Sequence, residues 1–308
     1  MNVLVTGATT PLGAGLIDAL LADPRTTRVL AVGGGGDAAW DDPRVTYHGL
    51  DLRHARAVHD LLWGPARELA IDTVVHAMQH RTASDEGPRV HAQNVGATRE
   101  LVLGAPRHPT LRRIVVRSFS EVYALAHATS ELLDEDAPLD FAAAAPQWVR
   151  DRVEADLVAC AGRGGPLEIT VLRCAEIFTP DMGSQLWDYL RSRVCLRPLG
   201  FDPMLSVLSL GDAIAAFVAA VFAPACGVFN IAGCDALPLS AAIRCAGRLD
   251  VPVPAPLLAP LYRWRRRLAG FAFDYDLNAR RFHFGGMLDG ARARTSLGYV
   301  PRRPVHWA

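Results

Sequence analysis

The order of local signals along the chain predicts an α/β protein built on a doubly wound parallel sheet. Two observations carry that prediction. Residues 1–13 read MNVLVTGATTPLG: an apolar, β-branched strand, a glycine turn at Gly7, and the start of an apolar-faced helix. Five further short apolar runs follow, with helical patterns between most of them, and parallel strands joined by right-handed crossovers are the arrangement that covers both faces of such a sheet. The length, 308 residues, suffices for a full α/β core and one accessory lobe.

In chain order, Asn2–Thr6 is the first strand and residues 13–21 begin the first helix. Such a junction turns backbone N–H groups and a positive dipole end toward a pyrophosphate, so residues 1–13 read as an anion cradle. Residues 28–32 are a second strand, leading into Gly33, a glycine run and Asp37. Residues 44–48 are a third, followed by Gly49, Leu50, Asp51 and Leu52. Residues 55–63 have helical apolar spacing and are expected to stop at Gly64 and Pro65. Residues 72–76, 113–116 and 167–172 read as the fourth, fifth and sixth strands, and residues 90–104 and 147–161 as helices. The proline-rich passage 251–260 reads as loop.

Composition excludes several classes. Half the residues are hydrophobic, 21% are charged and the net charge is zero, so no nucleic-acid or acidic partner is expected. No run has the apolar length of a membrane span and no signal-peptide layout is present, which predicts a soluble, cytoplasmic protein without a membrane partner. Arg263 and residues 265–267 read as a solvated helix face. The six cysteines lack C-x-x-C spacing and are expected to be reduced core residues, not disulfides or zinc ligands. All 32 basic residues are arginine; there is no lysine.

These stretches, taken together, resemble the extended short-chain dehydrogenase/reductase group, the NAD-dependent epimerase/dehydratases. TGATTPLG is similar to that family's TGxxGxxG loop, and Asp51-Leu52 to its adenine-contacting Asp-Leu. DTVVHA at 72–77 resembles the strand ending beneath the cofactor, NVGAT at 94–98 the NVxGT of the central helix, and SFSEVYA at 118–124 the segment ending in Val-Tyr-Gly. TVLRCAEIF at 170–178, FNIAG at 229–233 and SLGYVP at 296–301 resemble later family segments. The resemblance implies a Rossmann-type domain at residues 1–166, with remaining sheet strands and a small C-terminal substrate lobe at 167–308. It also implies NAD or NADP as cofactor, with weakened or lost binding among the outcomes. The cofactor contacts would be Gly7, Thr9, Thr10, Pro11, Leu12, Gly13, Asp51, Leu52, His76, Ala77, Asn94 and Arg152. A small-molecule ligand and a homodimer through helices 90–104 and 147–161 are implied as well.

The catalytic positions depart from the family pattern together. A tyrosine, a lysine four residues on, and a serine or threonine are the family's acid–base set, the ammonium lowering the tyrosine pKa. Those positions hold Trp148, Arg152 and Phe119. An indole N–H has no acid or base function near neutral pH, while a guanidinium still offers charge and hydrogen bonds to a ribose. Ser118 and Ser120 flank Phe119 and should point to the opposite face of the strand. With Glu121 and Tyr123 they are the remaining catalytic candidates, and His80, His91 and Asp151 lie nearby in the sequence pattern. In the cradle, the family's middle glycine falls at Thr10, whose Cβ limits approach of a pyrophosphate, and Pro11 removes one donor. The second strand ends in Gly33 where a ribose-binding acid would stand; Asp37 is either that acid or a solvated turn residue. Asp212 is expected to cap a later helix. The expected function is therefore a dinucleotide- or metabolite-binding protein of this fold, non-catalytic or atypical. The alternative is a divergent NAD(P)-dependent epimerase, dehydratase or oxidoreductase of nucleotide-sugar-like or secondary-metabolite substrates.

Overall fold

The computed structural model describes residues 1–35, 40–125, 132–270 and 272–307. Its first half runs β1 (Asn2–Thr6), α1 (Pro11–Ala22), β2 (Arg28–Gly33), β3 (Val45–Gly49), α2 (Ala55–Leu61), β4 (Thr73–His76), α3 (Pro88–His91), α4 (Ala97–Gly104), β5 (Arg113–Phe119), β6 (Leu132–Leu133) and α5 (Gln147–Ala161). The second half runs β7 (Glu168–Cys174), β8 (Glu176–Ile177), α6 (Gln185–Leu190), β9 (Val194–Pro198), β10 (Met204–Leu208), α7 (Leu210–Phe222), β11 (Gly227–Ile231), β12 (Asp235–Pro238), α8 (Leu239–Cys245), β13 (Leu249–Val253), α9 (Ala255–Ala269), α10 (Tyr275–His283), β14 (Met287–Leu288) and α11 (Ala291–Leu297).

The central sheet is parallel, in the order β11-β7-β5-β4-β1-β2-β3. The chain builds outward from β1 to β3, then returns to place β4 on the other side of β1. A crevice opens at that reversal, beyond the carboxyl ends of the strands. Leu12, Leu16, Ile17 and Leu20 of α1 pack one face of the sheet together with Phe217 and Val221 of α7. Val58 and Leu61 of α2 and Leu101 and Val102 of α4 pack the other. A third apolar cluster, including Tyr189, Tyr262, Phe273 and Phe282, forms the interior of the C-terminal lobe.

The six strands read from the sequence are all present, and β11 is a seventh in the same sheet. Three local readings are corrected. The helix after β3 does not stop at Gly64 and Pro65; a wider π-type turn carries it through Leu62–Ala66 and accommodates the proline's missing N–H. The 251–260 passage is not loop. It is the end of β13 and the start of α9: Pro254 stands at the N-cap position, Pro256 lies in the first turn, where a missing N–H costs nothing, and Pro260 lies within the helix. The cysteines carry no disulfide, but Cys226, Cys234 and Cys245 are exposed, so only part of the set is core. Among the described residues no helix is long and apolar enough to cross a membrane.

A buried polar network fastens the sheet beneath its carboxyl edge. Arg173 of β7 grips Asp156 of α5 through Nε at 3.0 Å and Nη2 at 2.8 Å, and Ser118 of β5 donates to the same carboxylate at 2.5 Å. Arg173 Nη1 also donates to the Tyr123 hydroxyl and to the Glu135 carbonyl, and Tyr123 donates to Asn230 of β11 at 2.6 Å. Asp156 is 1% exposed and Arg173 5%, so neither can be rehydrated in place if its partner is removed. Asp156→Ala should therefore destabilise the protein by about 3–5 kcal/mol, read as a lowered midpoint in urea unfolding.

Candidate functional site

The crevice between β1 and β4 is a cleft of about 680 Å³, within the range of sites that enclose small molecules. Gly7, Thr9 and Thr10 form its floor; Gly34, Gly35, Asp51, Leu52 and Arg53 line one side, and Met78, Gln79, His80 and Arg81 the other. Gly7 has φ +74°, and a Cβ there would stand 3.0 Å from the Met78 backbone, so glycine is required twice over. A Cβ at Gly13 would overlap the Gly7 carbonyl oxygen; its absence lets α1 start directly against the end of β1. Gly7, Thr9, Thr10, Asp51 and Leu52 thus meet at one cleft. Pro11 opens α1, whereas the Leu12 side chain is fully buried in the core and does not reach the cleft. Asp37 lies outside the described residues.

Thr10 behaves differently from an obstructing Cβ. It is the N-cap of α1: its Oγ1 accepts from the Gly13 N–H at 3.0 Å and donates to the Gly7 carbonyl at 2.8 Å. One of the helix-terminal donors expected to face an anion is therefore satisfied internally. Asp51 is also engaged. Arg53 binds its carboxylate through Nε at 2.8 and 2.9 Å and through Nη2 at 2.5 Å, which holds the carboxyl down at about 2.

Behind the cleft, His76 and Asn94 do supporting work. His76 is 3% exposed, with Nδ1 2.8 Å from the Thr6 hydroxyl and Nε2 3.1 Å from that of Thr98; it joins β1, β4 and α4 and is absent from the cleft wall. Ala77 is likewise buried, and Met78 takes its place in the lining. Asn94 sits in a π-type turn, Ala92–Gly96, that interrupts the helix between α3 and α4. Its side-chain oxygen accepts from the His80 N–H at 2.9 Å, and its amide donates to Asp151. Asp151 also meets His91 at 2.9 Å, so this pair anchors α5 to the central helix. His80 lines the cleft with Nε2 2.7 Å from Asp85.

Beside the cleft, Phe119, Trp148 and Arg152 come together; of the three, Arg152 borders a small cavity that adjoins the cleft, and Trp148 lines a separate pocket with Glu121, Tyr123 and Arg281. The Arg152 guanidinium carbon lies 4.0 Å from the Phe119 ring centroid and 4.4 Å from that of Trp148, and Arg117 stands 4.6 Å from Phe119. Phe119 is 7% and Trp148 5% exposed. Arg152 pairs with Glu121 at 3.2 Å, Glu121 with Arg281 at 3.4 Å, and Arg281 with Glu176 at 2.5 Å. Of the other candidates, Ser118 points to the opposite face and Tyr123 is locked in the buried network, burial pushing its phenol up to about 12. Ser120 lies 3.4 Å from Glu121. Asp212 does not cap its helix: Ser209 does, and Asp212 instead accepts from the backbone of Arg302 and Arg303, pinning the C-terminal segment. Sequence reasoning missed Gln79, Arg81 and Arg117. An arginine inside the apolar run RIVVRSF was the one available sign of the last.

The chain belongs to the NAD-dependent epimerase/dehydratase family, whose model matches residues 3–199. An uncharacterised protein of Mycobacterium tuberculosis is 32% identical over 311 residues, covering 97% of this chain and 80% of the relative. A 3-diazoavenalumate denitrifying reductase from Streptomyces is 31% identical over 317 residues, covering 99% and 97%. The fold is shared with UDP-glucuronic acid 4-epimerase from Bacillus cereus, solved with UDP-glucuronic acid and NAD (TM-score 0.71, 16% identity, 99% of this chain and 95% of that one). It is shared too with the Bordetella bronchiseptica enzyme WbmG in complex with NAD (TM-score 0.73, 14% identity, 99% and 90%). The family is NAD-dependent, and the cleft fits such a group: a glycine floor that a Cβ would fill, a helix N-terminus at one end and an elongated space beside Asp51.

Burial pushes the His76 imidazole from its ordinary value of 6.5 down to about 4. Between those limits the unfolded chain binds more protons than the folded one. The stability held by neutral His76 is whole above about pH 6.5, falls as the pH drops, and levels off below about pH 4. Urea unfolding should lose roughly 3 kcal/mol across that window, and His76→Asn should flatten the dependence.

Proposed function

We propose that this chain is an atypical member of its family that holds a nicotinamide dinucleotide, NAD or NADP, and works without the family's tyrosine–lysine proton relay. The observation that carries the reading is the packing of Phe119, Trp148 and Arg152 into one buried cluster beside the cleft, with Arg152 reaching a cavity that adjoins it. None of the three exchanges a proton near neutral pH. Gly7, Thr9, Thr10, Pro11 and the backbone of Leu12 and Gly13 would hold the pyrophosphate, Asp51 and Leu52 the adenosine, and Arg152 the nicotinamide ribose; His76, Ala77 and Asn94 keep the walls in place. The bound dinucleotide supplies hydride chemistry. The chain's own side chains bind and orient: Arg117 and Arg152 supply fixed positive charge, and the two aromatic rings hold the Arg152 guanidinium in place.

A binding protein and a reductase whose substrate needs no protein-borne acid both satisfy this arrangement. Likeness over nearly the whole chain to a protein named as a denitrifying reductase favours the second. The reading includes a cytoplasmic protein and a homodimer through helices 90–104 and 147–161, supported by Leu103 and Leu157, which are 64% and 41% exposed on those helices.

Calorimetric titration with NAD(H) and NADP(H) tests the proposal. Saturable binding is the expected result, and no heat at millimolar cofactor would end the dinucleotide reading. Sustained interconversion of an alcohol and a ketone by the unmodified chain would end the claim of a missing relay. The triple variant Phe119→Ser, Trp148→Tyr, Arg152→Lys is expected to gain that reaction while the parent shows none.

A further inference from the structure

Among the described residues, the cavity that adjoins the cleft is bordered by more positive charge than neighbouring carboxylates pair with. Three guanidiniums face two carboxylates: Glu121 serves Arg152 and Arg281, and Glu176 serves Arg281. Arg117 is the one left over. Its Nε is buried without a hydrogen-bond partner, and among the described residues no carboxylate lies within ion-pair distance of it. Its contact is the face of Phe119, the ring that also carries Arg152. Burial pushes the Arg117 guanidinium down to about 10, which still leaves it charged at neutral pH. At the rim, exposed Arg81 and Asp181 offset each other in charge.

Arg117 and Arg152 border a small cavity of about 10 Å³ that shares Thr10, Gln79, His80 and Arg81 with the cleft. That is room for one water-sized group, such as a single carboxylate oxygen. Its outer wall is Asp181 and Met182, in the segment leading into the C-terminal lobe. Gln79 has a buried, unpartnered side-chain oxygen in the same wall, and turning the amide over presents its NH2 instead.

We propose that Arg117 and Arg152 form a subsite for a carboxylate carried by the substrate, with Met182 as the apolar neighbour beside it. The single surplus positive charge matches a monoanion, and planar guanidinium forks match a planar acid group. Met182 gives the cavity an apolar wall, and the body attached to the acid would lie in the adjoining cleft. A phosphate would bring a second negative charge, one more than the surplus matches. The inference rests on the proposed reading of the cleft as a cofactor-and-substrate site, and it names the substrate class.

Isothermal titration of the full chain with trans-cinnamate and with its neutral amide, cinnamamide, tests it, at low and high salt and with and without NADPH. Cinnamate is expected to bind about ten-fold more tightly than cinnamamide, with only the cinnamate affinity weakened by salt. Arg117→Gln should remove the discrimination. Equal affinity for acid and amide, no binding of either, or discrimination that survives in Arg117→Gln would overturn the proposal. So would inorganic phosphate displacing cinnamate at lower concentration than benzoate does. If Arg117→Gln fails to fold, the acid-to-amide ratio and its salt dependence in the unmodified chain decide alone. Discrimination without any NADPH binding would overturn the cofactor reading and leave the carboxylate subsite standing.

Discussion

The arrangement depends on how closely α1 is allowed to approach the end of β1. Gly13 sits against the Gly7 carbonyl oxygen, and Gly7 turns through a left-handed conformation directly over the Met78 backbone. Any side chain at either place would push the helix away from the strand and move the helix terminus off the crevice at the β1–β4 reversal. Everything that lines the cleft is measured from this junction: β2 and β3 carry Gly34 and Asp51 to one side, and β4 and the loop after it carry Met78 to Arg81 to the other.

Beneath that junction the sheet's polar groups are divided between two layers with different jobs. Below β5, the Asp156–Arg173–Tyr123–Asn230 network is closed on itself; each charged group has its counterpart and the hydroxyls are spent on structure. Above β5, the Phe119 side holds Arg152, paired with Glu121, and Arg117, which has no carboxylate partner among the described residues. The alternation of a strand accounts for the division, since Ser118 and Phe119 are neighbours that must face opposite ways. A fully satisfied network holds the scaffold rigid, and the unsatisfied one keeps its capacity to interact for something that arrives.

Much of the fold was legible because it is written in local patterns. The apolar runs of β1, β2, β4, β5 and β7 and the glycine turn at Gly7 need no tertiary information to be recognised. Prolines misled where position within a helix decides their effect, as at Pro254 to Pro260 in α9 and at Pro65. The site was legible by motif at Gly7, Thr9, Thr10, Asp51 and Leu52, and the motif spacing singled out Phe119, Trp148 and Arg152, three residues that the fold brings into contact. What could not be read is which partner each polar group finds. His76 and Asn94 share a motif with the cleft but spend their hydrogen bonds behind it, on Thr6, Thr98 and the His80 backbone. Arg117 became visible as a site residue only when the strands placed it against the same ring as Arg152.

The Thr10 cap changes what kind of event ligand binding is. In a bare glycine loop the helix-terminal amides wait for a phosphate, and contact adds bonds where water stood. Here the Gly13 N–H already holds a hydroxyl. A phosphate oxygen that claims this donor must displace the threonine oxygen from it, while the hydroxyl can go on donating to the Gly7 carbonyl. Binding at this amide is therefore an exchange: its yield is the difference between a charged acceptor and a neutral one, not the whole strength of the new bond. A weakly charged ligand gains little at this amide, because the threonine oxygen already satisfies it.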